Sequence, residues 1–252
     1  MKKSLFLLLF LSQNLYSQPA IELFEKANEH YRLGQYDKAI ASYQRIEISK
    51  FISSELYFNM GNSYYKLNKI APAIYNYERA LLVNPLNQDA QNNLVFARRL
   101  TIDAIETIPK TIFQKLDSAL FKKLSYDEWS VLAVVFSAIG ATLFFLFYFS
   151  HTPSKKRVFF ITSMICFLFL VASSILTVKE YAYSNAVIEA IIFAQHTDIK
   201  NAPTSNSEKI FTLHEGTKVQ VLDAVQTWKK IKISDGKIGW ILAEDLKLLT
   251  IF

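Results

Sequence analysis

Hydrophobic residues follow three rhythms along this chain, and each predicts a different kind of element. Residues 129–149 and 158–178 are predominantly apolar, 21 residues each without a charge. At 1.5 Å per residue a helix of that length spans roughly 30 Å, the thickness of a bilayer's hydrocarbon. A soluble core would not require two such runs back to back. The turn between them, residues 150–157, carries Lys155, Lys156 and Arg157. Short loops rich in Lys and Arg stay on the cytoplasmic side during insertion. Residues 129–149 and 158–178 are therefore expected to be transmembrane helices joined by a cytoplasmic loop, with both flanks outside the cytoplasm.

Helical spacing dominates the chain before this pair. Residues 107–128 form an amphipathic juxtamembrane segment in which Ile112, Phe113, Leu116, Leu120, Phe121 and Leu124 recur between lysines. That helix either lies on the bilayer surface or packs on the helices before it. Ser125 and Glu128 have the spacing of a capping box, and Trp129 stands at the interface. After residue 178 the rhythm changes to alternation in short segments at 186–193, 210–213, 218–223, 228–233 and 238–241. Turns at Glu215-Gly216 and Asp235-Gly236 separate two of the pairs. Five short strands in so small a span predict a small β-barrel over residues 179–252.

The N-terminus agrees with export. Lys2 and Lys3 precede a short apolar stretch, residues 5–11, and then polar residues ending Leu15-Tyr16-Ser17-Gln18. This is the pattern of a secretory signal peptide over residues 1–17, with cleavage placed after Ser17. Leu15 is larger than the usual small residue three before the cut, so an uncleaved anchor is the alternative. No cysteine follows the stretch, which excludes a lipoprotein anchor.

Residues 18–106 repeat. A shift of 34 brings Ala27-Asn28 onto Gly61-Asn62, Tyr31 onto Tyr65, Leu33 onto Leu67, Ala39-Ile40 onto Ala73-Ile74, and Tyr43 onto Tyr77. The period and the residues, with Tyr64, Ala80 and Pro85 in the second copy and Gly34 and Tyr36 in the first, resemble the tetratricopeptide repeat. Small residues at 39, 61 and 73 let paired helices approach, and tyrosines fill the space beside them. Gly34 and Asn68 are expected in left-handed helix caps. A partial third copy over Ala90, Leu94, Val95 and Ala97 is expected to begin a capping helix that continues through Ile102 and Ile105. The resemblance implies a concave groove lined by Asn28, Tyr31, Arg32, Asn62, Tyr65 and Lys66, where such repeats bind peptides. Phe24 and Phe58 stand where carboxylate-clamping members of the family carry lysine, which argues against capture of a C-terminal carboxylate. The alternative for the asparagines is hydrogen bonding within the solenoid itself.

The C-terminal segment resembles the bacterial SH3-like domain through Pro203, Ser207-Glu208, Leu213, Glu215-Gly216-Thr217, Val219, Val221, Trp228-Lys229-Lys230-Ile231 and Gly236-Lys237-Ile238-Gly239-Trp240-Ile241 with Asp245-Leu246. Such domains bind cell-wall peptides or proteins, and the expected contacts are Trp228, Trp240 and the loop 201–207. Core packing is expected to claim Trp240, which leaves Trp228 for a partner.

Composition adds little chemistry. The net charge is +6, but Lys2, Lys3 and the three cations of the 150–157 turn account for five of those charges. The basic balance is thus an insertion signal and excludes a nucleic-acid-binding face. The only cysteine, Cys166, sits inside the second apolar run, so no intramolecular disulfide can form. Four histidines fall in four different segments without metal-ligand spacing, and there is no phosphate loop or nucleophile elbow. Neither enzyme activity nor a cofactor or metal is expected.

Signal peptide, repeats, membrane hairpin and SH3-like domain in this order resemble the BatE-type proteins of the Bacteroides aerotolerance operon. That resemblance implies an inner-membrane protein with both globular parts in the periplasm. It also implies partners among membrane-bound von Willebrand A-domain proteins and a MoxR-type ATPase, in envelope stress tolerance. The fold class expected is a multidomain membrane protein: α-solenoid, two transmembrane helices and a small SH3-like β-barrel. Its expected role is a non-enzymatic scaffold whose repeats and barrel meet and hold protein partners. The alternative is a sensor that binds peptidoglycan through the barrel.

Overall fold

A computed structural model describes residues 18–105, 111–112 and 124–250. The chain divides into two compact units. Residues Pro109–Ile188 form one, and the chain on either side of them forms the other. The signal peptide lies outside the described residues, as does most of the juxtamembrane segment.

Among the described residues of the larger unit five helices come first: α1 (Gln18–Arg32), α2 (Tyr36–Ile48), α3 (Ser54–Lys66), α4 (Ile70–Val83) and α5 (Gln88–Arg98). The helices α1 and α3 end where the sequence provides a left-handed residue. Gly34 has φ +73° and Asn68 φ +56°. At each, the amide of the following residue bonds back to the last turn, Gln35 N–H to His30 O at 2.9 Å and Lys69 N–H to Tyr64 O at 3.0 Å. This is the Schellman pattern. Ser53 and Asn87 cap α3 and α5 by accepting the Leu56 and Ala90 amides, each at 3.0 Å. Ala39, Gly61 and Ala73 are buried at helix contacts. A Cβ at Gly61 would lie 2.7 Å from the Tyr77 ring, so only glycine lets α3 and α4 close around that tyrosine.

The third copy departs from expectation. Its helix α5 stops at Arg98, and Ile102 and Ile105 are not helical. Ile102 is exposed, while Ile105 packs against the core of the C-terminal barrel. The helix ends because the chain turns aside at Thr101, whose hydroxyl bonds Arg98 O at 2.8 Å, to reach that barrel.

The barrel has seven strands: β1 (Ile188–Ile192), β2 (His196–Lys200), β3 (Lys209–His214), β4 (Lys218–Val225), β5 (Trp228–Lys232), β6 (Ile238–Leu242) and β7 (Leu246–Leu248). Their order is β3-β2-β6-β5-β4-β1-β7. The five expected strands are present. β2 has few apolar residues to alternate and β7 is three residues long, so neither has a hydrophobic rhythm to read. Ile192, Ile199, Leu213, Val219, Ile231, Ile241 and Leu246 fill the interior.

The second unit is a helical hairpin of α6 (Tyr126–Phe149) and α7 (Pro153–Ala186), both long and apolar enough to cross a membrane. The Ser125–Glu128 capping box is present. Phe136 stacks on Phe169 at 5.2 Å, and Ser163 donates to Gly140 O at 3.2 Å across the pair. A Cβ at Gly140 would stand 3.3 Å from that of Cys166, which is therefore a packing residue. No residue of α6 is buried within the protein.

Candidate functional site: the repeat groove and the barrel behind it

Each repeat presents its first helix to the groove and fixes it with a tyrosine from its second. Tyr43 donates to Asn28 Oδ1 at 2.6 Å, and Asn59 Nδ2 donates to the same oxygen at 3.0 Å. One period on, Tyr77 donates to Asn62 Oδ1 at 2.7 Å, and Asn93 Nδ2 joins it at 2.8 Å. The two asparagines thus knit α1 to α3 and α3 to α5, which is the structural alternative raised for them. Burial pushes the Tyr43 and Tyr77 hydroxyls far above their ordinary pKa, so both remain protonated donors. Phe24 and Phe58 lie against these tyrosines, with ring centroids 5.9 and 6.1 Å away.

Beside the second ladder lies a cavity of about 300 Å³, lined by Tyr31, Asn62, Tyr65, Lys66, Tyr77, Asn93 and Phe96. Four of the six expected groove residues meet there. Asn28 lies on the neighbouring ladder, and Arg32 is drawn into an ion pair with Glu29. Asn93 and Phe96 were not expected. The same 34-residue shift carries Asn59 onto Asn93 and Asn62 onto Phe96, so the period contained both. The groove has one cation, Lys66, and aromatic walls. It can hold an extended chain through hydrogen bonds and ring contacts.

On the opposite side of α4 the barrel is docked. Ile191 and Leu249 enter the same apolar cluster as Ile70, Ile74, Leu94 and Ala97. Tyr75 donates to Leu248 O at 3.2 Å and Arg79 Nε to Thr250 O at 3.1 Å. Arg79 is itself buried against Tyr57, whose hydroxyl is 2.7 Å from its Nη2, and pairs with Glu47 at 2.5 Å. The turn at Gly216 (φ +85°) reaches the repeats so closely that a Cβ there would lie 2.8 Å from Thr101 Cγ2 and 3.0 Å from Ile74 Cδ1.

Charged groups close the seam. Glu78, 6% exposed, pairs with Arg98 and with Lys218 at 2.9 Å, and Lys218 reaches Glu189 at 2.6 Å. Burial alone would raise Glu78, but Lys218 and Arg98 more than reverse it and hold the carboxyl below its ordinary range. Asp103 accepts the His214 amide and Nδ1, both at 2.7 Å, and the Thr217 hydroxyl at 2.6 Å. Burial pushes Asp103 up, and these bonds outweigh it and lower its pKa.

The two tryptophans exchange their expected places. Trp228 is buried at 9% exposure, whereas Trp240 is half-buried with Lys230 Nζ 5.9 Å from its ring centroid. Trp228 opposes Leu242 in the register, and little of its ring is left for a partner. Among the described residues no group of His, Cys, Asp and Glu could hold a metal ion.

Family comparisons divide the chain as the geometry does. Residues 20–46 and 54–87 match models of the tetratricopeptide repeat. Residues 196–247 match the bacterial SH3 domain. The chain thus joins two kinds of interaction module to a pair of membrane-length helices. No curated protein matches it. Both kinds of module are typically non-catalytic.

Proposed function

We propose that the protein is a membrane-anchored, non-enzymatic scaffold that holds a protein partner in the repeat groove. The observation that carries this reading is the cavity walled by Tyr31, Tyr65, Lys66 and Phe96 on the side of the repeats that the barrel leaves open. The hairpin anchors the chain. The basic turn at Lys155, Lys156 and Arg157 supports a cytoplasmic loop in the inner membrane, with repeats and barrel in the periplasm. The resemblance in domain order supports partners among von Willebrand A-domain membrane proteins and a MoxR-type ATPase complex in envelope stress tolerance.

A photocrosslinker at Tyr65 or Lys66, followed by mass spectrometry from native membranes, tests the scaffold. A defined protein adduct that Lys66→Glu reduces supports it, and recovery of none counts decisively against it. A second reading, a peptidoglycan sensor, is favoured by the bacterial SH3 match over residues 196–247. Binding of the full chain to purified sacculi, with no protein adduct at the groove, would select it.

A further inference from the structure

The barrel carries a face that neither its core nor the repeats use. Lys200 of β2 lies opposite Trp240 of β6, and Trp240 lies opposite Lys230 of β5. In the next row Ile238 lies opposite Lys232. Directly opposed residues on antiparallel strands share a face. The alternate residues Ile199, Gly239, Ile231 and Ile241 are buried, so this set points outward. Ile238 is 44% exposed.

The charges on this side are unequal. Lys209 is neutralised by Asp198 and Lys237 by Asp235, at 2.7 and 2.9 Å. Among the described residues Lys230 and Lys232 make no ion pair, and Lys200 donates only to the carbonyls of Ser205 and Ser207. Asp223, opposite Lys230, is the one carboxylate in the row and accepts the Ala224 amide at 2.8 Å. Three lysines against one aspartate, around a tryptophan and an exposed isoleucine, make a positive face with an apolar centre.

We propose that this face rests on anionic lipid headgroups of the membrane that the hairpin spans. The proposal relies on the spanning reading given above. Trp, Lys and an exposed aliphatic side chain are the set that a water–bilayer interface favours, the ring and stems at the headgroup level and the ammonium groups in water. Chain connectivity supplies the occupant. The helix α7 ends at Ala186 and β1 begins at Ile188, so Val187 alone joins them. Helix beyond residue 178, where the apolar run ends, adds about 12 Å to Ala186. A headgroup layer takes up roughly 5–8 Å of that. The first strand of the barrel therefore begins within about a Debye length of the surface, where lysines feel an anionic leaflet. An acidic peptide would suit the same lysines but would have to be delivered there.

The test uses the full chain with Cys166→Ser and Lys237→Cys, a bimane on the new thiol, in nanodiscs with headgroup nitroxides. One set is phosphatidylcholine, and the other also contains phosphatidylglycerol. Attraction of three lysines to the anionic surface should raise bimane quenching at least about twofold in the second set. The combined Lys200→Gln, Lys230→Gln and Lys232→Gln variant should abolish that difference. Insertion with equal quenching in both sets overturns the proposal alone. So does a bimane that answers to polyglutamate or soluble wall fragments and not to the anionic nanodisc. A chain that does not enter nanodiscs removes the spanning reading and the proposal with it.

Discussion

At the scale of single residues, the groove asparagines serve the solenoid before any ligand. Asn62 Oδ1 accepts from both Tyr77 and Asn93, which leaves only its amide nitrogen to face the cavity. Replacing Asn62 with Ala strips a buried hydroxyl of its acceptor, a loss of roughly 1–3 kcal/mol. For a domain of this size the melting temperature of the repeat–barrel unit should fall by about 2–4 °C per kcal/mol, measured by calorimetry on the detergent-solubilised chain. Lys66→Glu removes no such bond. It should leave melting unchanged while weakening the crosslinked adduct, and an equal fall in both would mean that Lys66 is structural. Glu78 and Arg79 show where residue-level reading stops. On α4 they sit between Tyr77 and Ala80 as an ordinary charged pair, yet they are 6% and 7% exposed because another domain covers them. Nothing local encodes that cover.

At the scale of elements, the repeats, hairpin and most strands were legible because each has a period: 34 residues, a continuous run, or alternation. What escaped was whatever a distant partner decides. The expected helix through Ile102 and Ile105 gives way to a strap, since Asp103 binds His214 and Thr217 more than a hundred residues away. The tryptophans exchanged roles because the register puts Trp228 and Trp240 on the same face, so alternation could not tell which of the two would be covered. A third repeat would normally cover α5 with its own second helix. Here Ile191 and Leu249 of the barrel contact the cluster around Leu94 and Ala97 instead, so the barrel completes the solenoid. Leu249→Asp puts a carboxylate into that cluster and should cost roughly 3–4 kcal/mol. Hydrogen exchange should then accelerate in α5 and α4, with α1 and α2 unchanged. Uniform acceleration across all five helices would mean that the barrel does not act as a cap.

At the scale of the whole molecule, the same seam ties stability to pH. Glu78 and Asp103 are both held below the usual carboxylate range. A carboxyl lowered on folding contributes stability above its unfolded pKa, near 4, and loses it as pH falls through the folded value. Lys218 behaves in the opposite sense. Burial alone would pull it down, but Glu78 and Glu189 hold it above its ordinary value. Its contribution is complete below the unfolded pKa, near 10.4, and is lost as pH rises through the folded one. Docking of barrel on repeats is therefore firmest from about pH 5 to pH 10. On the acid side both carboxyls lose their contribution, so the seam should open before either core melts. A fluorophore pair at Asp89→Cys and Gln220→Cys in the Cys166→Ser chain follows that opening by energy transfer as pH is lowered from 7. Transfer should fall below about pH 4, where carboxyls protonate, while the far-ultraviolet circular dichroism of helices and strands persists. Lys218→Met removes one of the two cations at Glu78, so it should move the midpoint to higher pH. An unmoved midpoint, or transfer and dichroism lost in a single step, would show that the Glu78 network does not govern how the two modules hold together.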